Sequence, residues 1–243
     1  MSGKVIISVT VLAAAVGFNA AANWGIVSSC PTPCAEPRGL DGNYLVGDGL
    51  TPLIYYLSLK SGSVGSSFAA PGGAGAWGIT RAAEEYEFYV SNYKTSRVYK
   101  ITTTGSALSS FICPLPGPAG INSRWPNLLE IAIPSMNVIA VVNRVTGSLV
   151  STVRGPGLSP TACSGWSAAY ITDAGTHGLY ASGRLVIENI EFPTGVWKGE
   201  EPPRDTGPHE YYIVDGATRQ IYTIYSDAAV APASLGKVKA LFE

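Results

Sequence analysis

The chain has two imidazoles, and each stands four residues after an aspartate: Asp173 and His177 in ITDAGTHG, and Asp205 and His209 in DTGPHEYY. A carboxylate that orients an imidazole makes a general base or a metal ligand. Two such pairs facing one channel would form an acid–base or metal site. The same spacing suits hydrogen bonding inside a loop, because Asp, Thr and Gly are turn residues, and that use is expected here. Other signatures fall short. There is no HExxH pair, and Ser167 in GWSAA lacks both the GxSxG pattern and the strand-to-helix turn of a nucleophile elbow. The Gly72–Gly75 run is followed by no Lys-Ser/Thr pair to hold phosphate. Calcium, held by Asp41, Asp48 and backbone carbonyls, is the one conceivable cofactor, although no twelve-residue calcium loop is present.

Residues suited to binding are more prominent. Trp77, Trp166 and Tyr170 follow Pro/Gly-rich passages. Such aromatics either fill contacts between packed units or rim a channel where a sugar ring or apolar ligand can stack. Trp125 sits in NSRWPN among Asn122, Ser123, Arg124 and Asn127, where it serves either as a loop anchor, the commoner use, or as a recognition hot spot. The binding candidates are Arg124, Trp125, Asn127, Trp77 and Trp166. In RAAEEYEFY, Glu84, Glu85 and Glu87 are expected to keep a turn wet while Tyr86 and Phe88 alternate toward packing. The formal charge of −1, from 16 basic and 17 acidic residues, offers no field for a polyanion, so nucleic acid is not an expected partner.

The elements that would hold these residues repeat. Gly62, Gly105, Gly147, Gly195 and Gly236 are 43, 42, 48 and 41 residues apart, and most follow a β-prone run such as LIYYLSLKS, RVYKITTT or VIAVVNRVT. A period near 40 is the length of one four-stranded propeller blade. Short runs rich in Tyr, Val and Ile, divided by Asn, Asp, Gly and Ser, read as antiparallel strands with tight turns. The segments VYKITTTGSALSSF, VVNRVTGSLVSTV and CAEPRGLDG resemble parts of the repeat of NHL or YWTD-like β-propellers. That resemblance implies a closed ring of radial blades and says little about chemistry, since one fold serves many functions.

Complete units are expected from Arg38 to Phe68, from Ala76 to Ile112 and from Gly120 to Val153. A fourth is expected from Gly165 through TGVWKG, and a fifth ends on an outer strand at Lys237–Phe242. Trp24–Cys30 is a strand left over. The fold class is therefore an all-β propeller of five near-complete four-stranded blades. It is either a five-bladed ring closed by Trp24–Cys30 on the last blade, or a shortened, degenerate six-bladed ring, toward which the reading leans.

Lys4, the apolar run Val5–Phe18 and the small residues at 19–22 read as a secretory signal over residues 1–22, leaving a single propeller domain over 23–243. The run of about 14 apolar residues is short of the roughly 20 that span a bilayer, so no stable membrane span is expected. Secretion, to the extracellular space or a periplasm, would permit disulfides. Cys30, Cys34, Cys113 and Cys163 are expected in the links between units, on one face of the disc, with one or two disulfides among them. The expected function is a non-enzymatic scaffold that binds a protein, glycan or small ligand on its link-bearing face. The alternative is a metal-dependent hydrolase or lactonase-like enzyme working in the central channel.

Overall fold

A computed structural model describes residues 24–47, 52–82, 86–124, 126–165, 169–199 and 209–226. All of them lie in one compact unit, Asn23–Ala228. The proposed signal, Asp48, Trp125, Trp166, Asp205 and the expected strand Lys237–Phe242 fall outside the described residues.

The described chain forms twenty strands and a single 3-10 turn at Pro134–Met136. Strand β1 (Trp24–Pro31) precedes a first blade of β2 (Pro37–Asp41), β3 (Tyr44–Gly47), β4 (Leu53–Leu57) and β5 (Val64–Ala69). The second blade is β6 (Ala76–Arg81), β7 (Glu87–Asn92), β8 (Arg97–Thr102) and β9 (Ala107–Ile112). The third is β10 (Ile121–Arg124), β11 (Leu128–Ile133), β12 (Val138–Asn143) and β13 (Leu149–Arg154). The fourth is β14 (Pro160–Ser164), β15 (Tyr170–Asp173), β16 (Gly178–Ala181) and β17 (Arg184–Ile187). The fifth takes β18 (Pro193–Lys198), β19 (His209–Asp215) and β20 (Gln220–Ser226), and its outer strand is β1, paired antiparallel to β20 from Trp24↔Ser226 to Pro31↔Gln220. The protein is thus a five-bladed β-propeller whose first strand closes its last blade.

Each blade buries its faces against its neighbours, and the core divides accordingly into five apolar clusters, one per interface. Ile54, Ile79, Phe88 and Ile101 fill the join between the first and second blades, and Leu129, Ile131, Val98 and Tyr89 that between the second and third. Leu40, Leu57, Tyr212 and Val214 join the fifth blade to the first. The third-to-fourth join is built from smaller or partly polar groups, including Ala119, Ala132, Cys163 and Tyr180.

The inner strands meet around a narrow waist. A Cβ on Gly39 would lie 2.5 Å from the Trp77 carbonyl, one on Gly78 2.6 Å from the Ile121 nitrogen, and one on Gly195 2.6 Å from the Arg38 carbonyl. Gly120 in turn abuts Ala162. Side chains larger than methyl do not fit where five backbones approach this closely, so the small residue of each inner strand sets the ring's diameter. Polar contacts lace the same ring. The Ser91 hydroxyl donates to the Ala119 carbonyl, Gly120 N–H to the Thr161 carbonyl (2.8 Å), and the Thr194 hydroxyl to the Pro37 carbonyl (3.0 Å).

Several expectations need correction. The fourth blade begins at Pro160, not Gly165, and TGVWKG is the inner strand of the fifth. The cause is a tight hairpin at Ser182-Gly183, with φ of 48° and 79°, which shortens the fourth blade and shifts the period. Gly62, Gly105 and Gly147 do occupy equivalent turns, with φ of 71°, 90° and 73°. Gly195 does not: it is a waist residue, equivalent to Gly120. Tyr86 is 94% exposed, whereas Phe88 is buried as expected. Glu87 is drawn into a salt bridge with Lys100 (2.5 Å).

Candidate functional site

The waist divides the channel into two ends. The link side carries the connections between blades and the turns from second to third strand. The hairpin side carries the turns from first to second and from third to fourth strand. Each inner strand starts on the link side and ends on the hairpin side.

At the link side the channel is packed with aromatic and cationic groups. The Arg38 guanidinium carbon stands 4.6 Å from the Trp77 ring centroid and 5.6 Å from that of Phe192. Trp77 lies 5.3 Å from Tyr93, and its indole Nε1 is buried with no hydrogen-bond partner among the described residues. Buried aspartates fix the surrounding loops. Asp215 accepts from the backbone N–H of Glu191 (3.1 Å), Phe192 (3.0 Å), Ala217 (2.9 Å) and Thr218 (3.4 Å). Asp173 accepts from Ser159 N–H (2.8 Å) and Thr176 N–H (2.9 Å).

Asp173 is thus spent on loop hydrogen bonding, the use expected of it, and the alternative Asp173–His177 pair does not form. The carboxylate is used by its own turn and link, while His177 Nδ1 lies 2.7 Å from the Glu191 carbonyl. His209 stands on β19 beside Tyr211 (6.5 Å between rings), with its Nδ1 buried.

At the hairpin side the ring opens. Each inner strand repeats a triplet of a small residue, an apolar residue and then a polar or aromatic one: Gly39-Leu40-Asp41, Gly78-Ile79-Thr80, Gly120-Ile121-Asn122, Ala162-Cys163-Ser164 and Gly195-Val196-Trp197. The last two members of all five triplets, with Arg81 and Ser123, line a cavity of about 180 Å³. The Asp41 carboxylate accepts the Arg81 N–H and the Thr80 hydroxyl, and Thr80 Oγ1 accepts the Ser123 N–H (3.1 Å). Burial pushes the Asp41 carboxyl above the usual range, opposed in part by the Arg81 and Thr80 contacts. On the opposite arc, Asn122 Nδ2 donates to Glu130 Oε2 (2.9 Å) and to the Gly165 carbonyl (2.8 Å). This ties the third blade to the fourth.

Trp197 is the wall between this cavity and a larger one. A cleft of about 840 Å³ opens between the fifth and first blades, sharing Asp41, Arg81 and Trp197 with the channel mouth. Trp197 stacks on Tyr212, with rings 5.5 Å apart and inclined by 26°. Tyr56, 42% exposed, lines the opposite wall. Glu210 accepts from the Tyr225 hydroxyl (3.3 Å) and the Tyr212 hydroxyl, and burial together with Glu210 drives the Tyr212 phenol well above its ordinary pKa.

The residues singled out from sequence are scattered by this geometry. Trp77 belongs to the link-side packing. Arg124 ends β10 with Nη1 3.5 Å from Glu130 Oε1, and Asn127 Oδ1 accepts from Arg144 Nε (3.3 Å) in the next turn. Both lie on the hairpin side, opposite the links with which they were grouped, because β10 carries the chain across the disc. The cysteines are also divided. Cys34 and Cys113 are in links, but Cys30 is on outer strand β1 and Cys163 on inner strand β14. All four are buried free thiols, and only Cys30 and Cys34 share an apolar cluster. Cys30 donates to the Leu59 carbonyl (3.2 Å) and Cys163 to the Glu130 carbonyl (3.3 Å). For calcium, Asp41 is already engaged by Arg81 and Thr80. Sequence reasoning missed Thr80, Arg81, Ser164 and Trp197. Aligning the five small–apolar–polar triplets would have found all but Arg81.

No family model matches the chain, and no curated protein sequence matches it. Among solved structures, the glutaminyl cyclase of Myxococcus xanthus is similar in fold, with a TM-score of 0.64 at 12% identity, over 85% of this chain and 97% of that one. At that identity the likeness is one of fold alone.

Proposed function

We propose that this chain is a secreted, non-enzymatic propeller that binds a small polar ligand at the hairpin-side mouth of its channel and in the adjoining cleft. The observation that carries the reading is the convergence of Asp41, Thr80, Asn122, Ser164 and Trp197, one from each inner strand, on one cavity just past the waist. A site built from all five blades is rigid, and rigidity limits the ordering cost of binding. Secretion rests on the apolar Val5–Phe18 run and the small residues after it. Kinship with NHL or YWTD-like propellers rests on the repeat segments quoted above.

A catalytic centre at the same place is the second reading. It is favoured by a carboxyl in the cavity, Asp41, whose pKa burial raises, a property of general acids. Backbone-amide NMR of the full chain during titration with a library of small polar fragments tests the proposal. Shifts should cluster on Asp41, Arg81, Asn122 and Trp197; shifts confined to the link side around Arg38 and Tyr93 would overturn it. Chemical conversion of a bound fragment, lost in Asp41→Asn, would promote the second reading.

A further inference from the structure

The cleft between the fifth and first blades has a charge balance opposite to that of the chain as a whole. Among its described residues it holds three cations, Lys60, Arg81 and Lys198, and two anions, Asp41 and Glu210. Both anions are turned toward donors of the protein: Asp41 to the Arg81 N–H and the Thr80 hydroxyl, Glu210 to the hydroxyls of Tyr212 and Tyr225. Lys60 and Arg81 are exposed and stand in no salt bridge among the described residues; the Arg81 guanidinium carbon lies 5.8 Å from the Phe88 ring centroid and acts on Asp41 only at longer range. The chain carries a formal charge of −1, yet this cleft presents Lys60 and Arg81 to an incoming ligand while its carboxylates are occupied.

The walls add a second requirement. Trp197, backed by Tyr212, faces the cleft on one side, and Tyr56 lines the other with its ring against Gly65, where a Cβ would come within 3.1 Å of Tyr56 Cδ1. Between them stand Asn43, Ser58 and Ser63, small groups able to donate to and accept from hydroxyls. Flat aromatic walls with hydroxyl-matching polar groups suit the apolar face and polar rim of a pyranose ring. A volume of about 840 Å³ exceeds the needs of one sugar.

We infer that this cleft binds a carboxylate-bearing oligosaccharide, its rings against Trp197 and Tyr56 and its carboxylates met by Lys60 and Arg81. The inference rests on the proposed site and adds the class of ligand. Recognition of this kind is salt-sensitive, because exposed charges are screened within about 8 Å at physiological ionic strength. It is also directional, since Arg81 can meet a carboxylate through two parallel N–H donors whereas Lys60 acts as a point charge.

The test is calorimetric titration of the full chain with hexagalacturonate, with maltohexaose as the uncharged counterpart. Hexagalacturonate should bind at least about tenfold more tightly than maltohexaose, weakening several-fold as salt rises. Lys60→Gln and Arg81→Gln should each weaken it about three- to tenfold, whereas Lys94→Gln, an identical charge change on the link side, should leave it unchanged. Tyr56→Ala should weaken both saccharides without unfolding the chain, because Tyr56 is exposed. No binding of hexagalacturonate overturns the inference, as does equal binding of the two saccharides or full binding by the double variant Lys60→Gln/Arg81→Gln. In each of these cases fragment shifts that still cluster around Trp197 would leave the proposed site standing, and shifts elsewhere would remove both.

Discussion

The two ends of the channel are built from the same five strands, yet they spend their side chains differently. On the link side Arg38 is held between Trp77 and Phe192, Asp173 and Asp215 are saturated by backbone N–H groups, and the polar residues serve loop geometry. On the hairpin side Asp41, Asn122, Ser164 and Trp197 line open space, and the cavity runs on into the cleft beside Lys60 and Tyr56. A waist two residues away keeps the ends apart. The link side is devoted to fixing loops, whereas the hairpin side combines ties between blades with the open space that the proposed function fills, so substitutions at the two ends should separate stability from binding.

The largest effect should come from the waist itself. Gly120→Val places branched carbons against Ala162 where a single Cβ already overlaps backbone, and the chain should fail to reach a cooperative fold, read by the loss of a sharp thermal transition. Gly73→Ala is the contrast: its φ is 71° but nothing lies within 4 Å of the added carbon, so only backbone strain of about 1 kcal/mol is expected. Similar losses in both would contradict the steric account of the waist.

Next in size is the link side. Asp215→Ala strands four backbone N–H donors and releases the loop that carries Phe192, costing about 4 kcal/mol in urea unfolding. Fragment binding at the opposite mouth should persist below the new transition. Loss of binding in a folded variant would show that the two ends are not independent.

Much of this plan is legible in the sequence. Arg38–Phe68, Ala76–Ile112 and Gly120–Val153 mark blade limits that the strands reproduce within a few residues, and Trp24–Cys30 does pair with the last blade. The fourth blade is not legible by period, because the two-residue turn at Ser182-Gly183 removes residues that the other blades carry in longer third-to-fourth turns. Nor is the side of the disc on which a residue falls. Arg124 and Asn127 follow the Cys113 link closely in sequence, but one inner strand is enough to carry them to the other side. The channel mouth is legible only in register: Asp41, Thr80, Asn122, Ser164 and Trp197 have no common chemistry, and what unites them is their place two residues after a small waist residue.

A smaller effect distinguishes the hairpin side by pH. Burial raises the Asp41 carboxyl above its unfolded value, so between the two values the folded chain binds more protons than the unfolded one. The stability this contributes is present in acid and is lost as pH rises through the folded pKa. Wild type should therefore lose stability relative to Asp41→Asn as pH rises from about 4 through the folded value, measured by urea midpoints. A gain over the same interval would mean that the Arg81 and Thr80 contacts outweigh burial.

The smallest effect concerns the thiols, which are spread over both ends and an outer strand. Burial pushes Cys34 up to about 11 and Cys163 well above its ordinary value, so the native chain should react slowly with a thiol reagent at neutral pH. All four should titrate once the chain is unfolded without reductant. A count below four would show a disulfide in place of free thiols.

The central claim is that ligands enter the hairpin-side mouth, and crystals of the full chain soaked in a library of small polar fragments test it most directly. Bound fragments should lie among Asp41, Arg81, Asn122 and Trp197 or extend from there into the cleft toward Tyr56 and Lys60. Fragments seated instead around Arg38, Trp77 and Phe192, with the opposite mouth empty, would contradict the account.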